Sequence, residues 1–302
     1  MTTGPIRQHW VPQFYLRHFI APDSNPKQEQ VWILRRQNGE PQLTSIKNIA
    51  LEKHLYSPKL PDGTRDHRLE YKLCDLEGTL GAIWPKFATD FINLSSKSHR
   101  QIIALFLAVQ FLRHPERREA SLAVRQKIIE AVRSQPVDVD GNPAIREVHI
   151  GSRKIPFDVA KWKEYENSEQ ESSVANWRKL IEYDAVPTAE MLMKKRWSVV
   201  FIQNPLFVTS DFPVYVVQPD LKRFQIGGKN AMILFPISPT RLLCMDDLDE
   251  PGDQYYPISD SEADTYNLLT WVNTESFMIS SRPLEDVLEG ISRVRSEHEA
   301  RE

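Results

Sequence analysis

Leu69, Leu73, Leu76, Leu80, Ile83 and Phe87 recur at spacings of three and four, which lays all six on one stripe of an α-helix. Such a stripe has to be covered. The following segment, Ser98 to His114, supplies cover: "IIALFLAV" is apolar nearly all round, the mark of a helix buried within a bundle. Gln110 is its one polar interruption. Rotated about 100° from the leucine stripe lie Glu70, Cys74, Glu77 and Gly81, so two carboxylates border the buried face on one line and a glycine allows close approach of another backbone.

The flanking segments read differently. Pro12 precedes a short aromatic run and fits the first turn of a helix, leaving His9 and Trp10 just outside it. Asn38-Gly39 sits between two strand-like runs and predicts a hairpin, and Ser45 suits the N-cap of a short helical turn. Residues 130–158 are rich in proline, glycine and alternating positions, predicting a loop with one short hairpin. Helix returns over 159–195, broken or bent near Pro187. β-rich runs follow in "WSVVFIQNPLFVTSDFPVYVV", "AMILFPIS" and "RLLCMDD", then a helix over 262–270, a strand near Phe277 and a polar C-terminal helix.

This order predicts an α+β fold, with an N-terminal hairpin unit, central buried helices and a C-terminal antiparallel or mixed sheet, rather than a doubly wound parallel sheet. One domain over 1–302 is expected, with subregions at 1–135 and 156–302.

Composition excludes little. With 41 % hydrophobic and 26 % charged residues the chain is of ordinary globular type, and a net charge of −3 gives no global pull toward nucleic acid or an anionic membrane. Cys74 and Cys244 lie too far apart to form a thiolate zinc motif and are expected as reduced core residues. No run approaches the roughly 18 apolar residues of a membrane span, and Met1 to Ile6 lacks the start of a secretion signal. A cytoplasmic location with no membrane partner is the expectation.

The segments "HWVPQFYLRHF", "NIALEKHLY", "RLEYKLCDLEGTL", "LAVQFLRHPERR", "RWSVVFIQNPLFVTSDFPV", "LFPISP" and "YNLLTWVNTESFMISS" occur in an order that resembles the bacterial domain-of-unknown-function family DUF4238. The resemblance covers most of the chain apart from its loop-rich middle. It directs attention to His9, Pro12, Glu52, Tyr56, Glu77, Gln110, Arg113, Ser210, Asp211 and Asn267. At Phe212 it would more often have asparagine, so a polar role for that position does not carry over.

The chemistry rests on side-chain type. His9, Glu52, Glu70, Glu77 and Asp211 are the right residue types for a hard divalent metal, Mg²⁺ or Mn²⁺, activating water, with His9, Glu52, Glu77 and Asp211 as the expected ligand set, although no His-Glu-x-x-His motif gathers them locally. Gln110 and Arg113, three apart on one helix, could clamp a substrate anion or form a polar network with Glu77 that fixes helix packing. Ser210 and Asp211 stand where a strand reverses, as site residues or as an Asx-type turn. For His9 a structural hydrogen bond to the opening helix stands beside the functional role.

Two function classes follow. One is a divalent-metal-dependent hydrolase of a phosphate-containing substrate, a nucleic acid or nucleotide, with Gln110, Arg113 and Ser210 as substrate contacts. The other is a non-catalytic ligand-binding or sensor module, which the bacterial setting would place in a defence or toxin system.

Overall fold

The computed structural model describes residues 4–300 apart from 38, 151–152, 168–169, 218–225, 227, 229 and 251. Strand β1 (Arg7–His9) opens the chain, and helix α1 (Gln13–Leu16) starts directly after Pro12 and runs into a 3-10 turn, Arg17–Phe19. Strands β2 (Gln30–Arg35) and β3 (Pro41–Ser45) form the hairpin, with Gly39 at a φ of +65° that favours glycine. Asn38, the other turn residue, lies outside the described residues. The Ser45 hydroxyl caps the turn Ile46–Asn48 by accepting the Lys47 N–H at 3.3 Å. Strand β4 (Leu51–Lys53) then pairs antiparallel with β1.

Helices α2 (Arg68–Thr89), α3 (Lys97–Leu112) and α4 (Pro115–Arg133) follow. The hairpin β5 (Glu147–Ile150) and β6 (Arg153–Pro156) leads to α5 (Val159–Asn167) and α6 (Gln170–Lys194). Helix α6 continues through Pro187 rather than breaking there; a proline inside a helix forfeits one backbone bond, which tertiary packing can offset. Strands β7 (Arg196–Phe201), β8 (Thr209–Ser210), β9 (Tyr215–Val217), β10 (Met232–Ser238), β11 (Arg241–Asp246) and β12 (Gln254–Pro257) come next. Helix α7 (Asp260–Asn273), strand β13 (Phe277–Ser280) and helix α8 (Leu284–Glu299) complete the chain.

The fold is α+β. Five strands in the order β12-β7-β11-β10-β9 make a mixed sheet in which only β12 and β7 run parallel. The N-terminal hairpin does not form a unit of its own: β2 pairs with β13 in register Leu34↔Met278, and β8 closes an antiparallel sheet β3-β2-β13-β8. A hairpin is marginal alone and gains stability from further strands; here the far end of the chain supplies them.

The helical pair packs as its pattern requires. Leu69, Leu73, Leu80 and Phe87 on α2 are buried, as is α3 from Phe106 to Leu112, Gln110 included. Trp84, fully buried, stands edge-on to Phe14, Tyr15, Phe87, Phe106 and Phe235. The opening aromatic run is therefore a plug between α2, α3 and β10. Tyr15 fixes its depth: the phenol donates to the Pro236 carbonyl at 2.7 Å and lies 2.6 Å from Thr209 Oγ1. The main buried cluster runs from Val11 to Ile279, with smaller ones under α8 and between α4 and α5.

Candidate functional site

The line of residues next to the α2 stripe becomes the wall of an open cleft. Glu70, Cys74, Glu77 and Gly78 face His9, Gln13 and Arg17 across a space of about 320 Å³, with Arg113 at its base. Cys74 is thus exposed at the cleft and not in the core, whereas Cys244 is buried. Gly81 meets no neighbouring atom within 4 Å of where a Cβ would stand, so the close backbone approach expected there is absent.

Arg113 organises the base. Its guanidinium is 1 % exposed and donates from Nη1 to Glu77 Oε1 at 2.9 Å, and from Nε and Nη2 to Gln110 Oε1 at 3.1 and 2.7 Å. Gln110 Nε2 passes the connection on to the Trp10 carbonyl at 2.7 Å. A buried arginine needs such a set of acceptors to offset its desolvation. The result is a polar network joining α2, α3 and the segment before α1. The fully buried Tyr56, which stacks on Trp177, donates to the Arg113 carbonyl at 3.3 Å and closes the end of α3.

Two groups in the cleft have displaced proton affinities. Burial, opposed by Arg113 and assisted by Glu77, pushes the Glu70 carboxyl up to about 7. Burial, with Arg7 and Arg113 adding to it, lowers His9 to about 4, against carbonyls at Ile46 and Lys47 that favour its charged form. Near neutral pH, Glu70 is poised to gain or lose a proton while His9 is a neutral imidazole.

The two displacements act on stability with opposite sign. Folded Glu70 holds its proton more tightly than the unfolded chain, so its contribution is complete below 4.5 and lost as pH rises through about 7. Folded His9 resists protonation, so its contribution is present above 6.5 and lost as pH falls through about 4. The slopes oppose each other between them. The stability difference between Glu70→Gln and the native chain should therefore climb in the variant's favour from pH 4.5 to 7 and level off on either side. Urea melts at half-unit pH steps read this, and a flat difference would show that Glu70 titrates normally.

The other residues expected at the site lie elsewhere. In the β1–β4 pair Gln8 stands opposite Glu52 and His9 opposite Leu51, so strand alternation sends Glu52 to the face away from His9. Its carboxylate is bound by Arg118 at 2.8 and 3.2 Å. Asp211 is fully buried, accepting the Glu275 and Ser276 N–H groups at 3.1 and 2.8 Å. Ser210 Oγ, also buried, accepts the Phe212 N–H at 3.1 Å in a local turn. Phe212 packs against Phe111 and His114, and Asn267 clamps the chain at Leu206 and Val208.

His9, Glu52, Glu77 and Asp211 are consequently not gathered as one ligand set. Among the described residues no three His, Cys, Asp or Glu side chains group as a metal site requires. Only His9 and Glu77 of the four reach the cleft. The reason is geometric: alternation on a strand separates one, and backbone amides capture another. Gln13 and Arg17 were not among the expected site residues; Glu70, of the right type for a metal ligand and on the carboxylate line beside the leucine stripe, was left out of the four-residue set.

Fold and cleft together define an α+β protein with a paired-glutamate cleft walled by one helix and the N-terminal segment. The chain belongs to the family of proteins of unknown function DUF4238, whose model matches residues 7–283. No curated protein and no solved structure matches it. Among the described residues no helix is long and apolar enough to cross a membrane.

Proposed function

We propose that the chain is a hydrolase whose Glu70–Glu77 cleft works by general acid–base catalysis on a small polar substrate. The observation that carries this reading is Glu70, a carboxyl held near 7 within a cleft shared with a second glutamate and a neutral imidazole. Paired titratable groups in unlike environments are the usual arrangement for an acid and its partner base.

In this reading protonated Glu70 gives its proton to the leaving oxygen as the scissile bond breaks. Water attacks the opposite side of that bond and releases its proton to Glu77, whose Oε1 is held by Arg113. His9, with its affinity lowered to about 4, is a poor base at neutral pH and serves as a hydrogen-bonding group that orients substrate or water. Arg113 is a positioning residue. Its donors are engaged by Glu77 and Gln110, and Arg17 is bound to Glu29 at 2.8 Å. The cleft thus favours a neutral or cationic substrate over the phosphate-bearing one expected from residue types alone.

The test is a panel of p-nitrophenyl glycosides, esters and phosphates assayed from pH 5 to 9. Turnover is expected to fall about 100-fold or more in Glu70→Gln, as the loss of a general acid does, and the kcat limb near pH 7 should vanish with it. Turnover that persists unchanged in Glu70→Gln would overturn the acid–base reading and leave a ligand-binding module.

A further inference from the structure

A second cleft, of about 430 Å³, shares no lining residue with the first. Its walls are apolar: Ile20, Pro22, Ala88, Pro205, Pro239 and Pro283 bring together the loop after α1, the end of α2, the β10–β11 turn and the approach to α8. A cleft of this size and lining suits a small organic molecule. Into this surface the fold introduces one guanidinium, that of Arg282, with His18 on the same lining.

Arg282 is under-satisfied. Its Nε is buried and has no hydrogen-bond partner among the described residues. The acids whose charge it feels are Asp264, Asp286 and Asp260; Asp264 is already bonded by Arg293 at 2.5 Å and Asp260 by Asn204 at 2.7 Å. Burial lowers the proton affinity of the guanidinium, the sign of a cation held away from water without full compensation. An unmet buried donor is costly, and an anion that accepts from it relieves that cost. The Ser238 hydroxyl is bound to the Ala88 carbonyl at 2.8 Å, Thr89 donates to the Pro85 carbonyl at 2.9 Å and Thr240 accepts from Arg241 Nη1 at 3.3 Å, which leaves Ser281 as a further hydroxyl-bearing residue on the lining. Asp23, on the exposed lip, opposes a heavily charged head and selects for a single anionic group.

We propose that this second cleft binds an organic anion, with a carboxylate or phosphate head on Arg282 and an apolar body against the proline walls. The site is independent of the acid–base cleft, so either can fail without the other.

Calorimetric titration of the full chain at pH 7 with hexanoate, hexyl phosphate and neutral hexanol tests it. At least one of the anions is expected to bind, about tenfold or more tighter than hexanol, the effect of a charge-assisted bond. Arg282→Met should remove that advantage. Thr89→Trp, which takes up cleft volume and leaves Arg282 in the chain, should also weaken the anion and decides the matter if Arg282→Met does not fold. Tighter binding of hexanoate assigns a carboxylate head and tighter binding of hexyl phosphate a phosphate head; both support the site. No anion binding by the native chain, anion binding no tighter than that of hexanol, or undiminished binding by the variants would overturn it.

Discussion

Arg113→Met is expected to destabilise the protein by about 3–5 kcal/mol, the usual cost of removing one partner from a buried ion pair. The variant deletes the bond to Glu77 and both bonds to Gln110, leaving a half-buried carboxylate and a buried amide oxygen unpaired. Methionine fills much of the space, so the loss is mainly electrostatic and not a cavity effect. Because Arg113 holds the Glu70 affinity down and contributes to lowering His9, both should move upward in the variant. Chemical denaturation measures the first effect. A loss under about 1 kcal/mol, the range of an exposed pair, would mean the network is solvent-screened.

Asp211→Ala is expected to cost about 3–6 kcal/mol through a different mechanism. Two backbone N–H groups, of Glu275 and Ser276, lose a charged acceptor inside the protein, each such bond contributing about 1.5–3 kcal/mol. These bonds tie the start of β13 to the segment after β8, and β13 is the strand that carries the N-terminal hairpin. Trp10 joins the same point by donating its indole N–H to the Asp211 carbonyl at 3.1 Å. Asp211→Asn retains an acceptor and should lose less. Denaturation of both variants checks the order, and the Glu70 titration should be unaltered in each. Equal losses would mean that the charge contributes nothing.

The sequence carried the helical centre almost completely, because a stripe repeating at three and four residues has one physical solution. Leu69, Leu73, Leu80 and Phe87 are buried where that stripe puts them. The carboxylate line beside it was equally legible, and Glu70 and Glu77 open on one cleft. Long-range pairing was not legible. Nothing local in residues 30–45 tells that β2 will accept β13 from over two hundred positions away, since strand alternation specifies a face and not a partner. The site residues divided for the same reason. Asp211 stands before a chain reversal, where an aspartate can serve chemistry or accept amides, and only the placement of Glu275 and Ser276 decides between them. Glu52 differs from His9 by strand parity, visible once Gln8↔Glu52 is known.

The claim on which the functional reading rests is that Glu70 carries its proton into the neutral range. Carbon-13 NMR of protein labelled at the glutamate side-chain carboxyl, titrated from pH 3 to 9 and assigned by the Glu70→Gln variant, measures it directly. The account expects one resonance, absent from the variant, with a midpoint near 7. A Glu70 resonance that titrates with the exposed glutamates, near the ordinary value of about 4.3, would contradict it.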